Sequence, residues 1–454
     1  MNIYLNCEIV SRELDSKLLL AVSAAARGHN VVICEVNEII RGLQSKSIPP
    51  GIFHTKSLTP SDNKIARHQT LIDNNFVITS IDEEGGLVDP GYERFAKIRY
   101  SEQTINQSSA VYGWGLEDVT TLKEFYPKFL SKIHMTGSPR ADLWKTIFSD
   151  YWDVPPSAPK KPYLLISSNI NFANNIKPLH ETISIQRRNG YHKRDPEMFR
   201  KRIKSMSDDY LKLDAFIEAI KYLARNDKGY DIVLRPHPAE NLEAWKIYLE
   251  GIPNVHVIRE GSITSWIKNA FAVMHNSCTT AIETTFIGKP LVTYVPFKMV
   301  HDWEIPNKLG HLVETLDELS RTLNSIFDNE QSVVKNSNKQ IPEILSNKIY
   351  LDQKELATDK IIKIWENFEN KNLNNSSNFL IFKCHLKVMK LKSLIGSILR
   401  GLYPQKFGRN KKNWKYPSLN EKDIQQRVIK LQNILKLQKK VTCKFLSDRT
   451  ILIR

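Results

Sequence analysis

Short apolar runs alternate with longer, helix-patterned stretches along most of the chain, and the alternation occurs twice. The first series has runs at 2–6, 31–35, 52–54, 76–81, 110–112 and 132–135, with an apolar-rich helix at 17–26 that Gly28 stops as a C-cap. The second has runs at 163–167, 230–234, 255–258, 272–275 and 291–295. Helices are expected at 211–225, near 265, after 276–280, from about 314, and over 351–368. Short apolar runs separated by helices favour a mostly parallel sheet, since a parallel pair needs a crossover connection.

Between the two series lies VPPSAPKKP, residues 154–162, which reads as a linker. The expected architecture is therefore α/β, with two Rossmann-like domains at 1–155 and 163–368. Six of the twelve residues at 367–378 are Asn, so 369–379 reads as a second linker. Beyond it, 380–454 is expected to be a basic helical tail.

Charge separates that tail from the rest. Residues 380–454 hold 19 Lys and Arg against Glu421, Asp423 and Asp448, which accounts for the whole net charge of +16. The balanced body argues against nucleic acid as a partner, since a binding fold would carry a basic face. The five cysteines (Cys7, Cys34, Cys278, Cys384, Cys443) form no CxxC pair and no disulfide or zinc framework. With MNIYLNCEIV lacking signal-peptide regions, the expected compartment is the cytoplasm.

In an open α/β sheet, ligands bind at the carboxyl ends of the strands. Three such ends carry chemistry. Arg235-Pro236-His237-Pro238 follows the run 230–234, and its prolines fix the direction of His237. Arg235 and His237 could both donate to a phosphate; the plain alternative is a rigid turn with a surface histidine. His275 to Glu283, HNSCTTAIE, ends a strand and opens a helix, whose N-terminus suits an anion. Ser277, Thr279 and Thr280 add hydroxyl donors, and Glu283 could accept from ribose hydroxyls, although Ser and Thr are also ordinary N-caps. Asp82-Glu83-Glu84-Gly85-Gly86 ends the run 76–81. Crowded acids raise at least one carboxyl pKa and suit a general base, and the glycines would let a substrate approach the backbone. The plain alternative is a solvated acidic loop. No P-loop, GxGxxG, HExxH or metal-ligand spacing occurs, so neither a metal nor a cofactor is expected.

An acidic motif followed by Gly (Glu83-Glu84-Gly85), an HP dipeptide (His237-Pro238) and a hydroxyl-rich helix start (Ser277 to Thr280) resemble the bacterial sialyltransferases and Kdo transferases. These are GT-B enzymes that use CMP-activated ulosonic acids. Residues 2–368, with Thr136-Gly137-Ser138-Pro139-Arg140 and Gly288-Lys289-Pro290, also resemble bacterial surface carbohydrate biosynthesis proteins. The resemblance implies a metal-independent GT-B glycosyltransferase. Its nucleotide-sugar donor would be a substrate, its acceptor a glycan or lipid-linked glycan. His237, with Ser277, Thr279 and Thr280, would hold the donor phosphate. One of Asp82, Glu83 and Glu84 would act as base, or as nucleophile if configuration is retained. The same pattern resembles CDP-glycerol glycerophosphotransferases, and a nucleotide-sugar epimerase or a non-catalytic assembly scaffold are further alternatives.

In the tail, Leu391, Leu394, Ile395, Ile398 and Leu402 fall on one helical face beside Lys383, Lys387, Lys390 and Lys392, with Trp414 and Tyr416 among Lys411, Lys412 and Lys415. That pattern suits a helix lying on an anionic membrane surface at the inner face of the cell membrane; a helical hairpin packing on the body or on a partner is the alternative.

Overall fold

The computed structural model describes residues 1–87, 92–188, 196–226, 228–297, 299, 304–329, 343–368, 379–402 and 415–454. The linker expected at 369–379 therefore lies, but for Phe379, outside the described residues, as do Lys411, Lys412 and Trp414.

In chain order the strands are β1 (Asn2–Asn6), β2 (Asn30–Cys34), β3 (Ile52–Thr55), β4 (Val77–Ile81), β5 (Ala110–Gly113), β6 (Ile133–Met135), β7 (Tyr163–Ser167), β8 (Asp231–Arg235), β9 (Val255–Val257), β10 (Ala272–His275), β11 (Leu291–Tyr294), β12 (His311–Val313), β13 (Cys443–Ser447) and β14 (Thr450–Ile453). They form two sheets, ordered β13-β14-β2-β1-β3-β4-β5-β6 and β12-β11-β10-β7-β8-β9. The strands of the second sheet are all parallel, as are β1 to β6 of the first. The protein is thus α/β with two Rossmann-like sheets.

Each sheet has a switch point, where successive crossovers turn to opposite sides. In the first it lies between β1 and β3; in the second, between β7 and β10. The apolar strand residues are buried because helices cover these sheets, as the continuous apolar runs require. In the first unit Tyr4, Val32, Phe53 and Ile78 pack with Ile39 and Leu43. In the second, Leu164, Ile232, Leu234 and Met274 pack with Phe216, Ile220 and Leu323.

The chain divides into two compact units, Met1–Tyr151 with Glu343–Arg454, and Trp152–Pro342. This corrects two expectations. Residues 343–368, expected in the second domain, belong to the first unit. There Asp142 accepts from the backbone N–H groups of Ala357 and Thr358 and so caps the helix Ala357–Glu366. Trp365 Nε1 donates to Thr79 Oγ1. Nor is 380–454 a separate helical tail. After the helices Leu380–Leu402 and Glu421–Ile434, β14 pairs antiparallel with β2, placing Ile451 opposite Ile33 and Leu452 opposite Val32. β14, with Ile451, Leu452 and Ile453 all buried, covers what would otherwise be an open sheet edge at β2.

Candidate functional site

In the second unit, Glu240 organises the turn after β8. Its carboxylate is fully buried and accepts from the backbone N–H of Ile170 (2.9 Å), Ser168 Oγ (2.9 Å), Trp245 Nε1 (2.6 Å) and the backbone N–H of His237 (3.2 Å). Burial pushes its pKa up, while those four donors pull it down. Within the turn, the Ala239 N–H donates to His237 Nδ1 at 3.2 Å. A neutral ring therefore carries its proton on Nε2.

The loop after β7 joins this turn to the one after β10. Ser168 and Ile170 bind Glu240 on one side, and Asn169 Nδ2 donates to the Ser277 carbonyl (2.6 Å) on the other. Ser277 sits at φ 50°, in the left-handed region. Asn307 holds it there: the Ser277 N–H donates to Asn307 Oδ1 (2.7 Å), and Asn307 Nδ2 donates to Ser277 Oγ (3.0 Å). Thr279 and Thr280 are half-buried at the start of the helix Thr280–Ile287, with the Thr280 and Ser167 hydroxyls 3.1 Å apart. His237, Ser277, Thr279 and Thr280 thus share the carboxyl edge of β8, β7 and β10, at the switch point.

Arg235 and Glu283, expected beside a ligand, are spent elsewhere. The Arg235 guanidinium is buried over Trp266 and donates to the carbonyls of Glu260 and Gly261. Burial lowers its pKa to about 10. Glu283 is turned inward, where it accepts from Thr264 Oγ1. A cleft of about 660 Å3 lined by Lys161, Lys221, Arg225 and Glu250 lies at the other end of β8, by Asp231, away from the strand-end loops.

In the first unit, each of the three acids has a cationic partner. Arg99 grips Asp82 with two bonds, from Nε (2.9 Å) and Nη2 (2.8 Å). Lys17 Nζ meets Glu83 at 2.6 Å, with both side chains buried, and Arg12 Nη1 meets Glu84 at 2.9 Å. Exposure sorts the acids: the side chains of Asp82 and Glu83 are 1% and 5% exposed, that of Glu84 46%. Burial raises the Asp82 pKa against the pull of Arg99. Burial acts the same way on Glu84, but Arg12 and Arg99 outweigh it and hold the carboxyl below its ordinary value. Crowding is therefore offset by pairing, and of the three acids only Glu84 has a carboxylate open to an acceptor. The two glycines serve packing rather than substrate approach. A Cβ on Gly86 would meet Trp114 Cε3 at 2.6 Å, and the Trp114 indole donates to the Asp82 carbonyl.

Sequence reading missed Glu240, Asn307, Lys17, Arg12 and Arg99. Glu240 carried one signal, since it follows RPHP by two residues; the others lie far in sequence from the motifs they serve. Lys64 was missed as well. Its ammonium is held by the Ser57 carbonyl (3.1 Å) and hydroxyl (2.8 Å), and burial, with Arg99 next, lowers its pKa to about 8. Among the described residues, no group of three His, Cys, Asp or Glu side chains is placed to hold a metal ion.

No family model matches the sequence, and no curated protein matches it. Solved structures resemble it at low identity. A UDP-GlcNAc 2-epimerase from Methanocaldococcus jannaschii, solved with UDP-GlcNAc and UDP, is 13% identical at a TM-score of 0.47, over 81% of this chain and 99% of that one. The wall teichoic acid polymerase TagF is 10% identical at 0.46, over 82% and 88%. A glycosyltransferase from Rickettsia africae is 10% identical at 0.41, over 83% and 99%. None of these three is named as a CMP-sugar transferase.

Proposed function

We propose that the protein is a glycosyltransferase that moves a sugar, an ulosonic acid from a CMP donor, to a growing surface polysaccharide or lipid-linked glycan. The reaction would run in the cytoplasm, at the inner face of the cell membrane, without metal or cofactor. The observation that carries this reading is the carboxyl edge of the second sheet. There one loop ties the His237 turn to the Ser277 turn at the switch point. In this reading the donor phosphate rests against the Thr279 and Thr280 hydroxyls and the start of their helix, and His237 Nε2–H donates to the departing phosphate. Preorganised donors of this kind offset leaving-group charge without a cation. Arg235 and Glu283 are not part of the proposal, since both are committed inside the unit.

In the first unit, Glu84 is the proposed base on the acceptor hydroxyl. Its lowered pKa keeps it ionised at neutral pH, the state a base requires. Arg12 and Arg99 weaken its basicity, so the acceptor has to displace part of that pairing. Asp82 and Glu83 act as positioning residues for this loop.

The test is thermal unfolding of the full chain with CMP, CDP, UDP or GDP. A ligand at 100 times its Kd stabilises by about 2.7 kcal/mol. Stabilisation by CMP that disappears in His237→Ala supports the reading. Stabilisation by UDP or GDP instead removes the CMP assignment. Turnover of CDP-glycerol without CMP-sugar turnover makes the enzyme a polyol-phosphate transferase, and no shift with any nucleotide removes the donor site.

A further inference from the structure

We propose that the helix Leu380–Leu402 lies flat on an anionic lipid surface, with its first turns clamped to the first unit and its remaining apolar face in the lipid. This deepens the membrane-face placement proposed above and rests on the helix, not on the transfer chemistry.

The clamp is built. Phe379, Phe382 and Leu386 are buried in the core that also holds Val32, Ile39, Leu43, Leu446 and Leu452. The helix packs on the helix Val36–Gln44 and on β13. Gly42 makes room for it: a Cβ there would stand 2.8 Å from Phe382 Cε2. The opposite face is exposed. Ile381, Val388, Leu391, Ile395 and Ile398 recur at intervals of seven, three, four and three, so they share one side of the helix. They are 63%, 52%, 59%, 50% and 53% exposed, a continuous strip of large aliphatic side chains. A soluble surface seldom carries such a strip without something to cover it.

Charge selects the cover. Lys387 and Lys392 are exposed around the strip, Lys390 is exposed beside them and pairs with Asp448 (3.5 Å), and no Asp or Glu occurs between 380 and 402. Each lysine near an anionic leaflet adds about 1 kcal/mol of attraction. Among the described residues no helix is long and apolar enough to cross a bilayer, so this one would rest in the interface rather than insert across it. The chain then returns to the carboxyl edge of the first sheet. The Lys415 carbonyl accepts from the Val10 N–H (2.9 Å) and Lys415 Nζ pairs with Glu8 (2.7 Å). The strip and that edge therefore belong to one folded unit, which suits an acceptor carried on a lipid.

The test is sedimentation of the full chain with phosphatidylcholine vesicles, with and without phosphatidylglycerol. The expected result is partitioning onto the anionic vesicles that weakens with added salt. It should fall at least about tenfold in Ile395→Glu/Ile398→Glu, as expected when apolar insertion is lost, with thermal unfolding of the variant unchanged. Failure to bind anionic vesicles overturns the proposal. So does equal binding by the variant, or a wild-type dimer that the variant dissociates without any vesicle binding; in that last case the strip is an interface between copies. Nucleotide-induced stabilisation, measured on the same samples, separates this outcome from that of the transferase reading.

Discussion

Glu240 accepts four hydrogen bonds that tie the turn together, while burial raises its pKa against them. Glu240→Gln would set an NH2 group against those donors. Leaving buried donors unsatisfied costs about 1–3 kcal/mol, and the His237 turn should lose its nucleotide response; unfolding with and without CMP measures both. The acids of the first unit should behave differently from one another. Glu84→Gln is expected to lower turnover about 10²- to 10⁴-fold, as removal of a general base does, and to leave stability unchanged. Glu83→Gln strands the Lys17 ammonium in the interior and should cost about 3–5 kcal/mol, as broken buried pairs do, which urea titration would detect. His275 sets a pH dependence. It is fully buried, and burial lowers its pKa from 6.5 to about 3. Between those values the unfolded chain binds more protons, so stability falls as pH drops through 6.5, by up to about 1.4 kcal/mol per pH unit. Urea midpoints at pH 7 and 5 should separate less in His275→Gln than in the wild type.

At the scale of elements, strands were easier to read than the sites they carry. β1, β7 and β10 coincide with apolar runs that have no polar interruption, and burial on both faces leaves that mark in any sequence. β13 and β14 escaped because CKFLS and TILI are short and sit among lysines, where composition speaks of a solvated tail. The first helix was read from residue 17, yet it begins at Val10. Its opening turns carry Arg12, Glu13 and Asp15, residues that look like a surface and instead pair within the first unit. The position of the 82–86 loop was legible from the strand before it. Its electrostatics were not, because Lys17 and Arg99 meet it only through the fold. The helix Val36–Gln44 offers a test of the clamp: Gly42→Leu should expel Phe382 and destabilise the first unit by about 1–3 kcal/mol, the usual cost of overpacking, visible as a lower unfolding midpoint.

For the molecule as a whole, the two units differ in continuity. The second is a single stretch, Trp152–Pro342, with its own buried core. Expressed alone, residues 152–342 should unfold cooperatively in urea. Residues 1–151 alone should not, because they lack the helix capped by Asp142 and the strand that covers β2. Near-ultraviolet circular dichroism of the two fragments would show the contrast.

The pairing of β14 with β2 also imposes an order on biogenesis. A chain leaving the ribosome can complete its second unit while synthesis continues, but its opening strands wait until residue 453 has emerged before their sheet is closed. Throughout that interval β2 offers an open edge, and a chain cut short before residue 450 would carry a finished second unit and a first one that sticks to others of its kind.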